Sequence, residues 1–102
     1  MVFEKLKLTG KTILITGAGT GLGREMALAL SNAGANLVIA ARREKLINEV
    51  CEIIKQRGNH AIAIPADLTD SKQVENLVQS GLDQFKSIDV LINNAGIVRG
   101  HG

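Results

Sequence analysis

Between positions 16 and 23 the chain reads Thr16-Gly17-Ala18-Gly19-Thr20-Gly21-Leu22-Gly23. A short β-branched and apolar run, Thr12 to Thr16, comes before it, and helical periodicity begins at Gly21. The glycines therefore sit between a strand and the start of a helix. A helix N-terminus presents unpaired backbone N–H groups and the positive end of the helix dipole, which together attract phosphate. Glycines let backbone and phosphate approach closely. Gly17, Ala18, Gly19, Thr20, Gly21, Leu22 and Gly23 are thus candidates for holding a phosphate group, the alternative being a tight strand-to-helix connection. The spacing excludes two common phosphate loops. G-x-G-x-x-G fails because position 22 is Leu, and the P-loop fails because no Lys-Ser/Thr follows the last glycine. The pattern that fits is T-G-x-x-x-G-x-G.

Other residues could also do chemistry. Arg42 and Arg43 follow an apolar run, and a guanidinium there suits bidentate phosphate recognition or is simply solvated before the next helix. Asp67-Leu68 and Asn93-Asn94-Ala95-Gly96 each follow a further apolar run. The first offers a loop carboxylate, and the second offers asparagines that tolerate turn torsions. Cys51 is the only cysteine and reads as a packing residue. His60 and His101 have no partners at metal-ligand spacing and read as surface residues, so no metal site is expected. The chain contains no tyrosine.

The elements that must position these residues follow from periodicity. Thr12 to Thr16, Leu37 to Ala41, Ala61 to Ala66 and Val90 to Ile92 read as strands with apolar residues on both faces. Gly21 to Ala33 is a helix with Leu22, Met26, Leu30 and Ala33 on one stripe, stopped by Gly34. Glu44 to Arg57 is a second, with Leu46, Val50, Ile53 and Ile54 on one face and Gly58 as its stop. Ser71 to Lys86 is a third, with Val74, Leu77, Val78, Leu82 and Phe85 aligned. Thr69, Asp70 and Ser71 offer its N-cap, and Gln73 is the capping-box partner of Asp70. Pro65 weakens pairing at the end of the third strand. The order βαβαβαβ implies a parallel sheet with helical cover.

T-G-x-x-x-G-x-G after the first strand, Asp67-Leu68 after the third and Asn93-Asn94-Ala95-Gly96 after the fourth together resemble the short-chain dehydrogenase/reductase family. The resemblance runs from about Leu8 onward. It implies an α/β, Rossmann-type parallel sheet of strand order 3-2-1-4, partial because it stops after the fourth strand, with residues 1–102 forming the N-terminal portion of one NAD(P)-binding domain. The glycine loop would hold the pyrophosphate of a dinucleotide cofactor. Asp67 would accept from the adenine amino group with the Leu68 backbone beside it, and Asn94, Ala95 and Gly96 would line the ribose and nicotinamide side. Asn93 would brace the sheet. In such folds an acidic residue at the end of the second strand reads the ribose 2′-hydroxyl of NAD, whereas an arginine accommodates the 2′-phosphate of NADP. Ala41 stands in the acidic place and Arg42 and Arg43 follow, so NADP(H) is expected over NAD(H), with Arg42 as the main contact. The chain departs from many NADP-using relatives at Thr20, where they carry a basic residue.

The family transfers hydride between a nicotinamide cofactor and a carbonyl or alcohol substrate, using a tyrosine, a lysine and a serine that lie beyond the Asn-Asn-Ala-Gly motif. None of these 102 residues is expected to be catalytic, and the chain alone is expected to be inactive. The competing readings are a stand-alone nucleotide-binding module and a non-functional truncated product. Right-handed crossovers place the first two helices on one face of the sheet and the third on the other, leaving apolar sheet bare beside the fourth strand. The isolated chain is expected to be marginal, to self-associate or to need a partner. Twelve basic and ten acidic residues give a net charge of only +2, which offers no case for nucleic acid or a membrane surface. Apolar runs of membrane-spanning length are absent, and the expected location is the cytoplasm.

Overall fold

The computed structural model describes residues 7–94. Four strands and three helices alternate: β1 Thr12–Thr16, α1 Gly21–Asn32, β2 Asn36–Ala41, α2 Glu44–Gln56, β3 Ala61–Pro65, α3 Ser71–Phe85 and β4 Val90–Asn93. All strand pairs are parallel, and the sheet order is β3-β2-β1-β4. Every residue of β1 is buried, as a central parallel strand covered on both faces must be.

Alternation along the strands divides the core in two. Ile13, Ile15, Leu37 and Ile39 face α1 and α2, where they meet Ala27, Ile47, Val50 and Ile54. Leu14, Val38 and Ala40 face the other way and pack with Leu77 of α3. Ile15, Leu37, Ile39, Ile47 and Ile54 are among the largest fully buried side chains. Burial of each contributes roughly 1.5–3 kcal/mol, so the α1/α2 side carries most of the apolar stabilisation.

The helices run close to the sequence expectation, with instructive shifts. In α1 the buried residues are Gly23, Ala27 and Ser31. Met26 and Leu30 pack only partly, and Leu22 is 62% exposed. Small residues turn toward the sheet because the helix lies close to it, so the larger apolar stripe is displaced sideways. In α2 the buried set is Ile47, Val50, Cys51 and Ile54 rather than one centred on Leu46 and Ile53. Ala33, Arg57 and Lys86 are C-caps rather than helical residues, and Lys86 takes a left-handed conformation at φ 75°. Cys51 is a packing residue whose thiol donates to the Ala61 carbonyl at 3.3 Å. Burial pushes that thiol's pKa up, with Lys55 opposing the shift and Glu52 adding to it. His60 is exposed; His101 lies outside the described residues.

The two ends of the sheet are fastened differently. At the end away from the glycine loop, the Thr12 N–H donates to Asp89 Oδ2 at 2.8 Å and the Asp89 N–H donates to the Thr12 carbonyl at 2.8 Å. This two-way clasp fixes the register that pairs Ile13 with Val90 and Leu14 with Leu91. At its outer edge β3 ends on Pro65, opposite Ala41, and Ala66 continues the pairing through its N–H to the Ala41 carbonyl at 3.0 Å. On β4, Leu91 is 65% exposed and Val90 43% exposed, although their β1 partners are buried. The apolar cover expected to be missing beside the fourth strand is therefore missing among the described residues.

Candidate functional site

The carboxyl ends of the strands converge on a cleft of about 670 Å³. Its wall includes Gly17, Gly19, Thr20, Arg42, Arg43, Asp67 and Leu68, all singled out from the sequence. Parallel strands place the ends of β1, β2, β3 and β4 side by side, which is why residues as far apart in sequence as Gly17 and Asn93 share one surface. Ala18, Gly21, Leu22, Gly23 and Asn94 are not on the wall. Ala18 is fully buried, while Gly23 and Asn94 hold the loop from behind. Ala95 and Gly96 lie outside the described residues.

The glycine loop is locked at its start and open afterwards. Gly17 and Ala18 donate their N–H groups to the Ala40 carbonyl of β2, at 2.9 and 3.4 Å. The N–H groups of Gly19, Thr20, Gly21, Leu22 and Gly23 have no acceptor among the described residues. Thr20 is the N-cap of α1, but its side chain makes no capping hydrogen bond, and the first turn of the helix contains no acid. Five consecutive donors thus stand at the positive end of α1. That donor set matches an anion with several acceptor oxygens.

Geometry also assigns two of the glycines. Gly21 has φ +57°, a left-handed conformation costly for other residues, and faces open space. A Cβ on Gly23 would lie 2.1 Å from the Gly17 carbonyl oxygen and 2.7 Å from Asn94 Nδ2. Asn94 Nδ2 itself donates to that carbonyl at 3.2 Å. One residue earlier along the same two strands, the Thr16 hydroxyl donates to Asn93 Oδ1 at 2.9 Å. Asn93 and Asn94 therefore tie the end of β4 to the start of the loop, and Gly23 is small so that α1 can enter this crowded corner.

On the opposite rim, Asp67 Oδ1 accepts from the Thr69 N–H at 2.9 Å and the Thr69 hydroxyl at 2.7 Å. Arg42 Nη2 lies 3.5 Å from the same oxygen. The two Thr69 bonds hold the Asp67 carboxyl below the usual carboxylate range, and the Arg42 guanidinium adds to the effect. The Asp67 N–H donates to Gln73 Oε1 at 2.8 Å. Gln73 was expected to bond back to its own N-cap backbone; instead its amide oxygen holds Asp67, and the N–H of Asp70 goes to the Asp67 carbonyl at 3.1 Å. Sequence reasoning missed Thr69, Leu46 and Ala66 as wall residues, and also Asn93, which it read only as a brace of the sheet. An Asp-x-Thr turn signal marked Thr69, whereas Leu46 was hidden in a stripe read as core. Among the described residues no group of acids, histidines and cysteines could hold a metal, and no helix is long and apolar enough to cross a membrane.

Comparison with known proteins agrees with this architecture. A family model described as short chain dehydrogenase matches residues 11–102. A ketoacyl reductase of a Nostoc species is 47% identical over 90 residues, covering 88% of this chain and 31% of the relative. The crystal structure of a hydroxysteroid dehydrogenase from Escherichia coli superposes with a TM-score of 0.84 at 33% identity, covering 88% of this chain and 38% of that one. A 3-ketoacyl-(acyl-carrier-protein) reductase from Brucella melitensis, complexed with NADH, gives a TM-score of 0.77 at 37% identity, over 82% of this chain and 33% of that one. The chain spans about a third of the length of the curated relatives it matches.

Proposed function

The chain belongs to the short chain dehydrogenase family, and from that premise we propose that its cleft binds a nicotinamide adenine dinucleotide, with NADP(H) preferred over NAD(H). The observation that carries this reading is the run of five backbone N–H groups, Gly19 to Gly23, without acceptors among the described residues, at the start of α1 beside the cleft. A pyrophosphate supplies the oxygens and charge that this run lacks. Asp67 and Leu68 then receive the adenine, and Asn94, Ala95 and Gly96 serve the ribose and nicotinamide side.

The preference for NADP(H) rests on Arg42. Its side chain is 72% exposed at the rim, and no carboxylate stands at Ala41 to receive a ribose 2′-hydroxyl. A guanidinium there offers paired donors to a 2′-phosphate, with Arg43 adding charge alongside. The Brucella relative was crystallised with NADH, so the preference is argued from this chain's own residues. Isothermal titration of the protein with NADPH and NADH tests it. Tighter NADPH binding is expected, and Arg42→Ala should remove the difference. Equal affinities in the unaltered protein would refute the preference, and binding of neither would refute the site.

For the whole protein that carries this portion, the proposed reaction is hydride transfer between the cofactor and a carbonyl or alcohol carbon. The 102 residues contain no tyrosine to act as the proton donor, so the chain by itself is proposed to bind cofactor without turnover. Exposure of Leu91 and Val90 along β4 supports a further proposal, that the isolated chain self-associates. A concentration-independent, monomeric unfolding transition would overturn that. The matched relatives are named for a ketoacyl and a hydroxysteroid activity, so likeness over this third of their length does not select a substrate.

A further inference from the structure

Arg42 and Asp67 come from neighbouring strands. Ala41 pairs with Pro65 at the last rung of β2 and β3, and Ala66 extends that pairing by one more hydrogen bond. The sheet therefore delivers the residues that follow, Arg42 and Asp67, to the same stretch of rim. The partners of the Asp67 carboxylate are divided unevenly. Oδ1 takes the Thr69 N–H, the Thr69 hydroxyl and Arg42 Nη2, whereas Oδ2 has no partner among the described residues. The backbone of Asp67 is also held, through Gln73 Oε1. The carboxylate is thus anchored from two sides and presents one committed oxygen and one open oxygen. Arg42 in turn is tethered through a single nitrogen, and its remaining guanidinium donors have no acceptor among the described residues.

We infer that Asp67 is a positioning residue for recognition of the ribose 2′-phosphate, holding Arg42 at the rim through Oδ1 while Oδ2 stays open for the adenine amino group. This rests on the reading of the cleft as an NADP(H) site. An arginine so exposed otherwise samples many rotamers, and each phosphate contact must first restrict them. A tether that uses one of the guanidinium's five donors removes part of that cost and leaves the others available. The two ends of the adenosine moiety are then read by a coupled pair rather than by independent residues. Because the loss of a base contact weakens NADPH and NADH alike, only the ratio of the two affinities reports the tether.

The test is calorimetric titration of NADPH and NADH into the protein and its Asp67→Asn, Arg42→Ala and doubly substituted forms. D67N should lower the NADPH:NADH affinity ratio about threefold to tenfold, beyond any common loss. In the R42A background the same substitution should leave the ratio unchanged, because the tethered group is gone. Thr69→Val, which keeps the carboxylate but removes its hydroxyl anchor, should lower the ratio in the same direction and guards against a folding defect peculiar to D67N. An unchanged ratio in D67N overturns the inference and confines Asp67 to the adenine. A raised ratio also overturns it, since Asp67 would then be competing with phosphate for Arg42. If the unaltered protein shows no NADPH preference, the NADP(H) preference falls and the inference with it; if it binds neither dinucleotide, the reading of the site falls as well.

Discussion

Helices α1 and α3 begin in opposite ways. At α3, Asp70 occupies the N-cap, and its Oδ1 accepts from the Lys72 N–H at 2.9 Å. Gln73 Nε2 donates to Asp70 Oδ2 at 3.2 Å, which steadies the cap. At α1 the N-cap is Thr20, a residue type suited to capping, yet its side chain caps nothing. An unfilled cap forgoes about 1 kcal/mol. The sequence accepts that cost at the helix whose start borders the cleft and avoids it at the helix whose start faces solvent. The difference teaches that a missing local interaction can be as informative as a present one. Donors withheld from the chain's own side chains are donors kept for an external anion.

The comparison can be broken most forcefully at Gly23. Gly23→Ala places a methyl against the Gly17 carbonyl and the Asn94 amide, groups that cannot retreat without unlocking the loop. Denaturant unfolding should show a loss on the order of 3 kcal/mol, and dinucleotide binding should disappear. Retention of both would mean that the α1 corner is looser than its geometry states. A smaller change transplants the α3 arrangement. Thr20→Asp gives α1 the carboxylate cap that it lacks, and should raise stability by about 0.5–1 kcal/mol while weakening NADPH binding roughly tenfold or more. Tighter binding in this variant would contradict an anion seat. The reverse change, Asp70→Ala, should cost about 1 kcal/mol of stability and leave NADPH affinity within about twofold, because the start of α3 is not where the ligand sits.

The same contrast shows how far the sequence could be read. The four strands and three helices follow from periodicity and glycine stops, their order in the sheet from the resemblance to the family, and the side each helix covers from crossover handedness once that order is given. Those signals are local or topological, so they survive without knowledge of contacts. The fine placement of side chains did not follow. The α1 stripe built on Leu22 and Met26 gave way to Gly23, Ala27 and Ser31, because closeness of helix to sheet selects small residues and periodicity is blind to size. The motif residues pointed to the cleft but not to their separate tasks. That Gly17 and Ala18 are bonded to β2 while Gly19 to Gly23 are not depends on where the Ala40 carbonyl lies. Likewise, Gln73 was assigned to the α3 cap by spacing alone. Its bond to Asp67 becomes visible only when the loop after β3 folds back on the helix.

Acid should produce the smallest effect, through Asp67. In the folded chain its carboxyl titrates below the usual carboxylate range, chiefly through the Thr69 hydroxyl and N–H, with Arg42 helping. A carboxylate whose pKa is depressed by folding stabilises the fold above its unfolded pKa and loses that contribution as pH falls through its folded one. The stability difference between the unaltered protein and D67N should therefore be constant from neutral pH down to the usual carboxylate range, and should shrink only as the pH drops through it. Denaturant midpoints measured for both proteins across that range check this. A difference that varied between pH 5 and 7 would assign the dependence to another group. Screening by about 0.5 M salt should diminish the Arg42 share but spare the Thr69 share, since hydrogen bonds to a neutral hydroxyl and amide are not screened as an exposed ion pair is. The rim would then behave as two separable parts, a salt-resistant turn that shapes Asp67 and a salt-sensitive tether that holds Arg42.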